Sequence, residues 1–520
     1  MTAEQSRAVF KAAGIISVVT VLSRLLGYLR DALLAARFGA THITDAYVVA
    51  QDLPASLYAA VGVTLVTVFI PVYRESLQKR GEEASWRLVN TVLNMTLLVS
   101  GVLLVLGLVL APLYVPLLVP GLPEEPKALA VSLTRTMLPM LLFMGMAGVA
   151  SAVLNANRHF TAPAMVGLVN NLPVVLMLMV VSATWQIRWV AWSVVFGAVA
   201  GALMLMPLLP RLGFRYQPVV DWHDPGLAQV GRLIVPVLIT TVLVQFQDFL
   251  DRFLASHLAE GSISALNYAV KVNSLPYGVV GAAISTVLYP SLAEHAADAE
   301  IPALRRTVTA GMRTMAFVLL PMALGLWVFR EEIVKIIFER GAFDLRATAA
   351  TAYALQFYSL GILFFGWQDF LQRCFFSLQD TLTPLLSSLL LVGLSVTFKI
   401  LLVGPLYHGG LALGSVLAAV AAVLFLLARL RRRLGGIGGR EILRATGLNL
   451  ATSVAGCAAG YVLYQGAAQF FPTSSLLDQA VRLGVGLSTV VAVHVGLALL
   501  AGLREASDLV TQVAGRLRKR

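Results

Sequence analysis

The chain has 520 residues, 58% of them hydrophobic and 13% charged, with a formal net charge of +12 and a mean hydropathy of +0.81. No soluble globular protein of this length is normally so apolar, and the basic residues cluster between apolar spans instead of forming a nucleic-acid-binding face, so the composition points to a polytopic membrane protein. Two cysteines, Cys374 and Cys457, lie in apolar segments and suggest neither a disulfide framework nor a metal site.

In chain order, MTAEQSRAVFKAAG is a short polar lead with no small-residue cleavage site behind an apolar core, so no removable signal peptide is expected. The first apolar run, near 12–36, leads into SRLLGYLRDALLAARFGATHITDAYVVAQD, which brings Arg24, Arg30, Asp31, Arg37, Asp45 and Asp52 into and between the first two spans. A charge at the centre of a membrane helix costs roughly 2.5–3.5 kcal/mol on insertion scales. Three arginines in one such helix therefore predict a wet interior cavity that receives an anion. Arg24 and Asp31 share a helical face with Gly27, itself an expected bend in the first span, and Arg30 and Arg37 form a second stripe about 120° round from Arg24. The competing reading is a basic helix end on the positive-inside pattern, with Arg24 paired to Asp31.

Further apolar runs fall near 44–73, 88–111, 130–154, 163–184, 188–209, 230–256, 262–292, 308–329, 350–376, 384–404, 407–428, 445–467 and 480–502, making fourteen spans. Positive charge gathers after the even-numbered spans: Arg74, Lys79, Arg80 and Arg87; Arg211, Arg215 and Arg232; Arg305, Arg306 and Arg313; and the cluster from Arg429 to Arg444. The chain closes on Arg516, Arg518, Lys519 and Arg520, while the connections near 404–408 and 468–479 contain no Lys or Arg. Both termini are thus expected in the cytoplasm. The segment 330–346, basic on the outer side, is expected to be amphipathic and to lie at the interface.

An internal repeat is visible. Residues 68–91 resemble 287–310, and AVLNANRHFTAPAM (152–165) is echoed by CFFSLQDTLTPLL (374–386). Pro54/Pro276, Pro71/Pro290 and Pro163/Pro384 pair at offsets of 222, 219 and 221. Six spans per copy give both copies one orientation, hence two lobes of the parallel-repeat transporter kind. The expected divisions are 1–220 (spans 1–6), 221–440 (spans 7–12) and 441–520 (spans 13 and 14 with a basic tail). Spans 2 and 8 correspond and are interrupted by Pro54 and Gly62, and by Pro276, Gly278 and Gly281, which marks bendable helices round a central site. Lys271, deep in span 8, is the second-lobe cation expected to face Arg24 and Arg30; the alternative is a lysine snorkelling from a helix end.

SRLLGYLRDALLAARFGA followed by TDAYVVAQDLP resembles the N-terminal signature of the bacterial MurJ (MviN) family of the multidrug/oligosaccharidyl-lipid/polysaccharide (MOP) exporter superfamily. The likeness continues through VFIPVY, SAVLNA, GSISALNYA, LPYGVVGAAISTVLYPSL and GPLYHGGLAL, over nearly the whole chain. The resemblance implies a flippase, not an enzyme, that moves lipid II, the undecaprenyl-diphosphate-linked peptidoglycan precursor, from the inner to the outer leaflet of the bacterial plasma membrane. It places the family's arginines on Arg24 and Arg30, its acidic partners on Asp31 and Asp45, and its span 8 arginine on Lys271; Asp45, at the outer start of span 2, is expected to pair with Arg30 or Arg37 when that side is shut. The implied partners are lipid II, membrane lipids and the cell-wall synthesis machinery, with no nucleic acid and no cofactor; a Na+ site on Asp251 with Asp248 nearby, or membrane-potential coupling, is the ion-related expectation. Where family members carry an arginine pair in span 2, this chain has LPASLYAAVGV with Ala55, Tyr58, Ala59 and Val63, so Arg37 or the Tyr58 hydroxyl is expected to compensate. Lysine at 271 keeps the charge and loses the bidentate fork that suits phosphate.

Two rival functions remain at this stage. Another MOP exporter, either a lipid-linked polysaccharide flippase or a multidrug antiporter, shares the fold, but a multidrug cation site is acidic and aromatic where this first lobe is arginine-rich. A membrane enzyme of lipid-linked glycans needs an outer carboxylate cluster, and Glu124/Glu125 and Glu331/Glu332 have no His or Asp at useful spacing. No Walker A motif occurs, so direct drive by ATP is not expected.

Overall fold

The computed structural model describes residues 3–59, 64–181, 186–298, 300–471 and 475–517, and every regular element within them is helical. Helix is what a bilayer demands, because no water in its core can satisfy open backbone groups. The contacts sort the chain into two compact units, Met1–Ser264 with Arg340–Asp344, and Ala265–Glu339 with Leu345–Arg520.

Unit 1 begins with α1 (Ala3–Phe38) and α2 (His42–Tyr58). The next helix, α3 (Thr64–Leu118), has 55 residues, far more than the ~20 that cross one bilayer core. It breaks at Gly81, whose φ of 83° suits glycine alone, and so supplies two spans. Helices α4 (Glu124–Met137) and α5 (Met140–Ala156) are bent 41° from one another and together make one span. Then come α6 (Thr161–Val180), α7 (Ile187–Leu205) and α8 (Pro225–Ala255).

The second unit takes most of α9 (Ser262–Pro276), a π-helical turn at Tyr277–Gly281, and α10 (Ala282–Ala297). It continues through α11 (Ile301–Val328), the short α12 (Arg330–Phe338), and α13 (Leu345–Leu360) bent 46° against α14 (Ile362–Ser377). The 53-residue α15 (Leu382–Leu434) breaks at Tyr407, and α16 (Gly439–Gly466), α17 (Leu476–Leu500) and α18 (Arg504–Leu517) complete it. Among the described residues, seven helices are long and apolar enough to cross a membrane, or nine counting the bent pairs. Splitting α3 and α15 at their breaks and adding the more polar α1, α8 and α16 puts a helix, half-helix or bent pair under each of the fourteen runs. The amphipathic segment after span 9 is α12, which buries Ile333, Val334 and Phe338.

The repeat is written in the backbone as well as the sequence. Arg158 (φ 63°) and Gln379 (φ 57°) stand 221 residues apart, each left-handed at the end of a helix. The next residue closes the same loop in both: His159 N–H donates to the Leu154 carbonyl at 2.8 Å and Asp380 N–H to the Phe375 carbonyl at 2.9 Å. Core residues follow the same offsets, with Tyr73, Leu154 and Leu205 in one unit matched by Leu292, Phe375 and Leu426 in the other. Outside the repeat, α16 and α17 are held to α11 by a histidine. Pro321 has no N–H for the carbonyl of Phe317, four residues earlier, and His494 Nε2 takes that place at 3.0 Å. The opposite ring nitrogen meets the Thr452 and Ser453 hydroxyls at 2.9 and 3.2 Å.

Contacts place residues 221–264 with unit 1. Asp224 caps α8 by accepting from Gly226 N–H at 2.7 Å, and it receives two bonds from the Arg80 guanidinium at 2.8 and 2.9 Å. Burial alone would raise the Asp224 carboxyl, but Arg80 and the backbone donors outweigh it and hold the group below the ordinary carboxylate range. Asp224→Asn should therefore destabilise the protein by about 1–3 kcal/mol, less than the ~3–5 of a fully buried broken pair because Arg80 is partly exposed. The stabilisation is complete above the unfolded-state pKa of ~3.9 and is lost as pH falls through the lower folded-state value. Thermal unfolding in detergent from pH 6 to 3 should show this acid-side loss in the native chain and a smaller one in the variant.

Candidate functional site

Residues 23–52 form the core of the candidate site, on α1 and α2 of unit 1. The first helix runs unbroken through Gly27, so this glycine does not interrupt it as the sequence suggested. Close packing on α6 rests on Gly167 instead: a Cβ there would lie 2.5 Å from Ser23 Oγ, whereas one on Gly27 would sit in ordinary contact with Asn171 Nδ2, at 4.0 Å. The close approach brings Asn171 to Arg30. Its side-chain oxygen accepts from Arg30 Nη1 at 2.9 Å, while its own amide donates to the Gly167 carbonyl at 2.7 Å.

Arg30 is half-buried and donates through Nε and Nη2 to buried Asp31, at 3.1 and 2.9 Å. Tyr47 and Asp52 of α2 lie near enough to act on its charge. The guanidinium is thus oriented from one side by a carboxylate and from another by an amide. Arg24 lies six residues earlier, ~9 Å along the helix axis, and is exposed.

Arg37 is drawn elsewhere. It donates to the carbonyls of Leu178 and Met179, both at 3.1 Å, and so satisfies the end of α6, where helix carbonyls have no partner of their own. This is a structural commitment that the stripe on α1 did not reveal.

Asp45 also differs from expectation, being paired with neither Arg30 nor Arg37. Its buried carboxylate accepts from the N–H of Gly261 at 2.9 Å, from the N–H of Ser264 at 2.7 Å and from the Ser264 hydroxyl. The physical reason is the N-terminal turn of α9, whose residues 262–264 belong to unit 1: its free N–H groups attract an anion. A collar surrounds this clamp. His42 N–H donates to Glu260 Oε1 at 3.1 Å and Ala342 N–H to the Ala36 carbonyl at 2.8 Å. At the left-handed Gly39, Gly261 and Gly341, a Cβ would lie 2.2–2.5 Å from the carbonyl oxygens of Ala342, Ala40 and Ala36.

Arg252 of α8 pairs with Asp52 of α2, not with Asp251 beside it in the chain. Asp248 and Asp251 lie on α8, and no three His, Cys, Asp or Glu residues converge among the described residues. Two carboxylates by themselves fall short of the oxygen set a hard cation takes. In unit 2, Lys271 lies half-buried on α9, five residues before Pro276, and Gly278 and Gly281 fall within the π-helical turn. In unit 1 Pro54 is buried inside α2, whose α-helical part ends at Tyr58; Gly62 and Val63 lie outside the described residues. Asn171 was missed by sequence reasoning. The Asn170–Asn171 pair, set in the apolar run 163–184, was the signal that could have found it.

The family model described as lipid II flippase MurJ matches residues 34–481. A probable lipid II flippase MurJ of Synechocystis is 29% identical over 523 residues, covering 95% of each chain. The lipid II flippase MurJ of Burkholderia cenocepacia is 29% identical over 439 residues, covering 82% of this chain and 84% of its own. Among solved structures, a lipid II flippase MurJ in an inward closed conformation superposes with a TM-score of 0.78 at 23% identity, covering 93% of this chain and 98% of that one. An inward-facing multidrug resistance MATE family transporter of the MOP superfamily gives a TM-score of 0.67 at 12% identity, covering 81% and 98%. At these identities the two structures speak for a shared fold alone.

Proposed function

The chain belongs to the lipid II flippase MurJ family, and on that premise we propose how its side chains carry lipid II from the cytoplasmic to the outer leaflet of the plasma membrane. It is a transporter, not an enzyme, and peptidoglycan synthesis is the process it serves. The observation that carries the proposal is Arg30, a half-buried guanidinium held in a membrane helix by Asp31 and Asn171. A fixed cation in that setting suits a diphosphate, which accepts charge-assisted bonds from several donors. Arg24 and Arg30 bind the diphosphate from the first lobe and Lys271 from the second. Arg37, committed to the end of α6, supports the helix that presents them.

Lipid II has a polar head too large for a closed bundle and a tail that stays in lipid. The head enters sideways between lobes that divide as the repeat does, at residues 1–220 and 221–440, with 441–520 as the appended part. Rocking of the lobes about the bends at Pro54 and at Pro276, Gly278 and Gly281 then exposes it to the other side. Both termini face the cytoplasm, as the basic connections direct. Glycan-polymerising enzymes on the outer face are the partner class that consumes the product. Export draws on the membrane potential or an ion gradient. Flipping by the purified chain in vesicles should respond to an imposed potential or sodium gradient, and a rate indifferent to both would refute this coupling.

Asp45 closes the outer side by clamping residues 261–264. Asp45→Ala removes an acceptor shared by three donors, each such bond being worth ~1.5–3 kcal/mol. Labelling of a cysteine at Ala40, in a chain without Cys374 and Cys457, should then rise about tenfold from outside as the population shifts. Unchanged labelling together with normal export would remove Asp45 from the gate. The proposed function as a whole is tested by reconstituting the chain with defined lipid-linked substrates: lipid II should cross, and a preference for a multidrug cation or for a lipid-linked polysaccharide would favour another MOP exporter.

A further inference from the structure

Unit 2 holds a groove of about 1080 Å³ between α14, the second half of α15 and the first turns of α16. Its walls are apolar, with Phe364, Trp367, Leu424, Leu427 and Leu443 among them. Leu424 and Leu443 are 60% and 75% exposed, so the trough lies open along its length. Arg431, Arg440 and Arg444 line the same groove. The nearby acids are already used, Glu441 by Arg313 and Asp380 by Arg433, and none of the three arginines has an acidic partner among the described residues. The turn between α15 and α16 reads GGIGG, and a Cβ on Gly436 or Gly439 would meet nothing within 4 Å, so the backbone there is bare.

An open apolar trough with three guanidiniums that have no acidic partner among the described residues suits an amphiphile with a hydrocarbon chain and an anionic head. We propose that this groove binds an anionic glycerophospholipid, one acyl chain lying against Leu424, Leu427 and Leu443 and the phosphodiester held among Arg431, Arg440 and Arg444. A soluble anion would gain nothing from the apolar walls, and a zwitterionic lipid would set its own ammonium among three cations. General attraction of basic loops to the membrane surface does not single out these three, because Arg432 belongs to the same cluster and does not line the groove.

The test is graded delipidation of the full-length protein in detergent, with bound phosphatidylglycerol and phosphatidylcholine counted by native mass spectrometry. The native chain should keep one phosphatidylglycerol at least tenfold more tightly than phosphatidylcholine. Arg431→Gln, Arg440→Gln and Arg444→Gln together should abolish that preference, whereas Arg87→Gln, Arg211→Gln and Arg432→Gln together should preserve it. Gly439→Leu, which obstructs the groove with every charge in place, should also lose the tightly held lipid and does not depend on the triple variant folding. Equal retention of the two lipids by the native chain, equal loss in both triple variants, or full retention in Gly439→Leu would each overturn the proposal.

Discussion

Arg30→Ala abolishes growth of a cell depleted of its own lipid II flippase, while the protein still inserts in the membrane: this is the largest effect expected of any single replacement. Two consequences of losing the guanidinium must be separated. The buried Asp31 carboxylate loses the bonds it accepts from Arg30, a change that costs about 1–3 kcal/mol because Arg30 is partly exposed. The substrate diphosphate also loses its oriented donors. Arg30→Ala combined with Asp31→Ala relieves the first and not the second, so the double variant should regain thermal stability and stay inactive. Arg24→Ala should also fail to complement. Growth at the native rate with both Arg24 and Arg30 replaced by alanine would refute a diphosphate site on α1.

Lys271 gives the second large effect, and its sign distinguishes two roles. As a point charge toward phosphate, Lys271→Arg should support growth equal to or better than the native chain, since the planar fork adds a second bond. Lys271→Ala should lose flipping by at least tenfold, and Lys271→Glu should lose it altogether by placing a like charge beside the diphosphate. A lysine that merely snorkels toward a helix end would tolerate alanine. Measured flipping in vesicles separates the two, and native activity in Lys271→Glu would place the residue outside the site.

The fold was legible in the sequence because a bilayer imposes a one-dimensional rule. Each span must be apolar for ~20 residues and must satisfy its own backbone, so run length and hydropathy located the fourteen spans. The repeat was legible for a related reason: Pro163 and Pro384 follow reversals at Arg158 and Gln379 that need the same chain geometry at the same offset. Long α3 and α15 could be divided because 55 and 53 residues exceed what one crossing requires. Arg24, Arg30 and Lys271 stood out because charge inside an apolar run is costly and calls for a reason.

Partners were a different matter. Hydropathy says that a helix crosses the membrane and leaves open which face meets which neighbour, and that choice decides where each charge goes. Arg30 finds Asn171, 141 residues away, because Gly167 lets α1 and α6 approach closely. The same packing carries Arg37 to the carbonyls ending α6, and Asp45 meets N–H groups 216 and 219 residues further on. Arg252 passes over Asp251 beside it for Asp52, 200 residues away. Run length, hydropathy and repeat spacing were enough to locate the apolar runs, their repetition and the charges that fall within them. The partner each of Arg30, Arg37, Asp45 and Arg252 takes was settled by the tertiary structure, because hydrogen bonds and ion pairs depend on helix rotation and neighbour identity, and packing sets both.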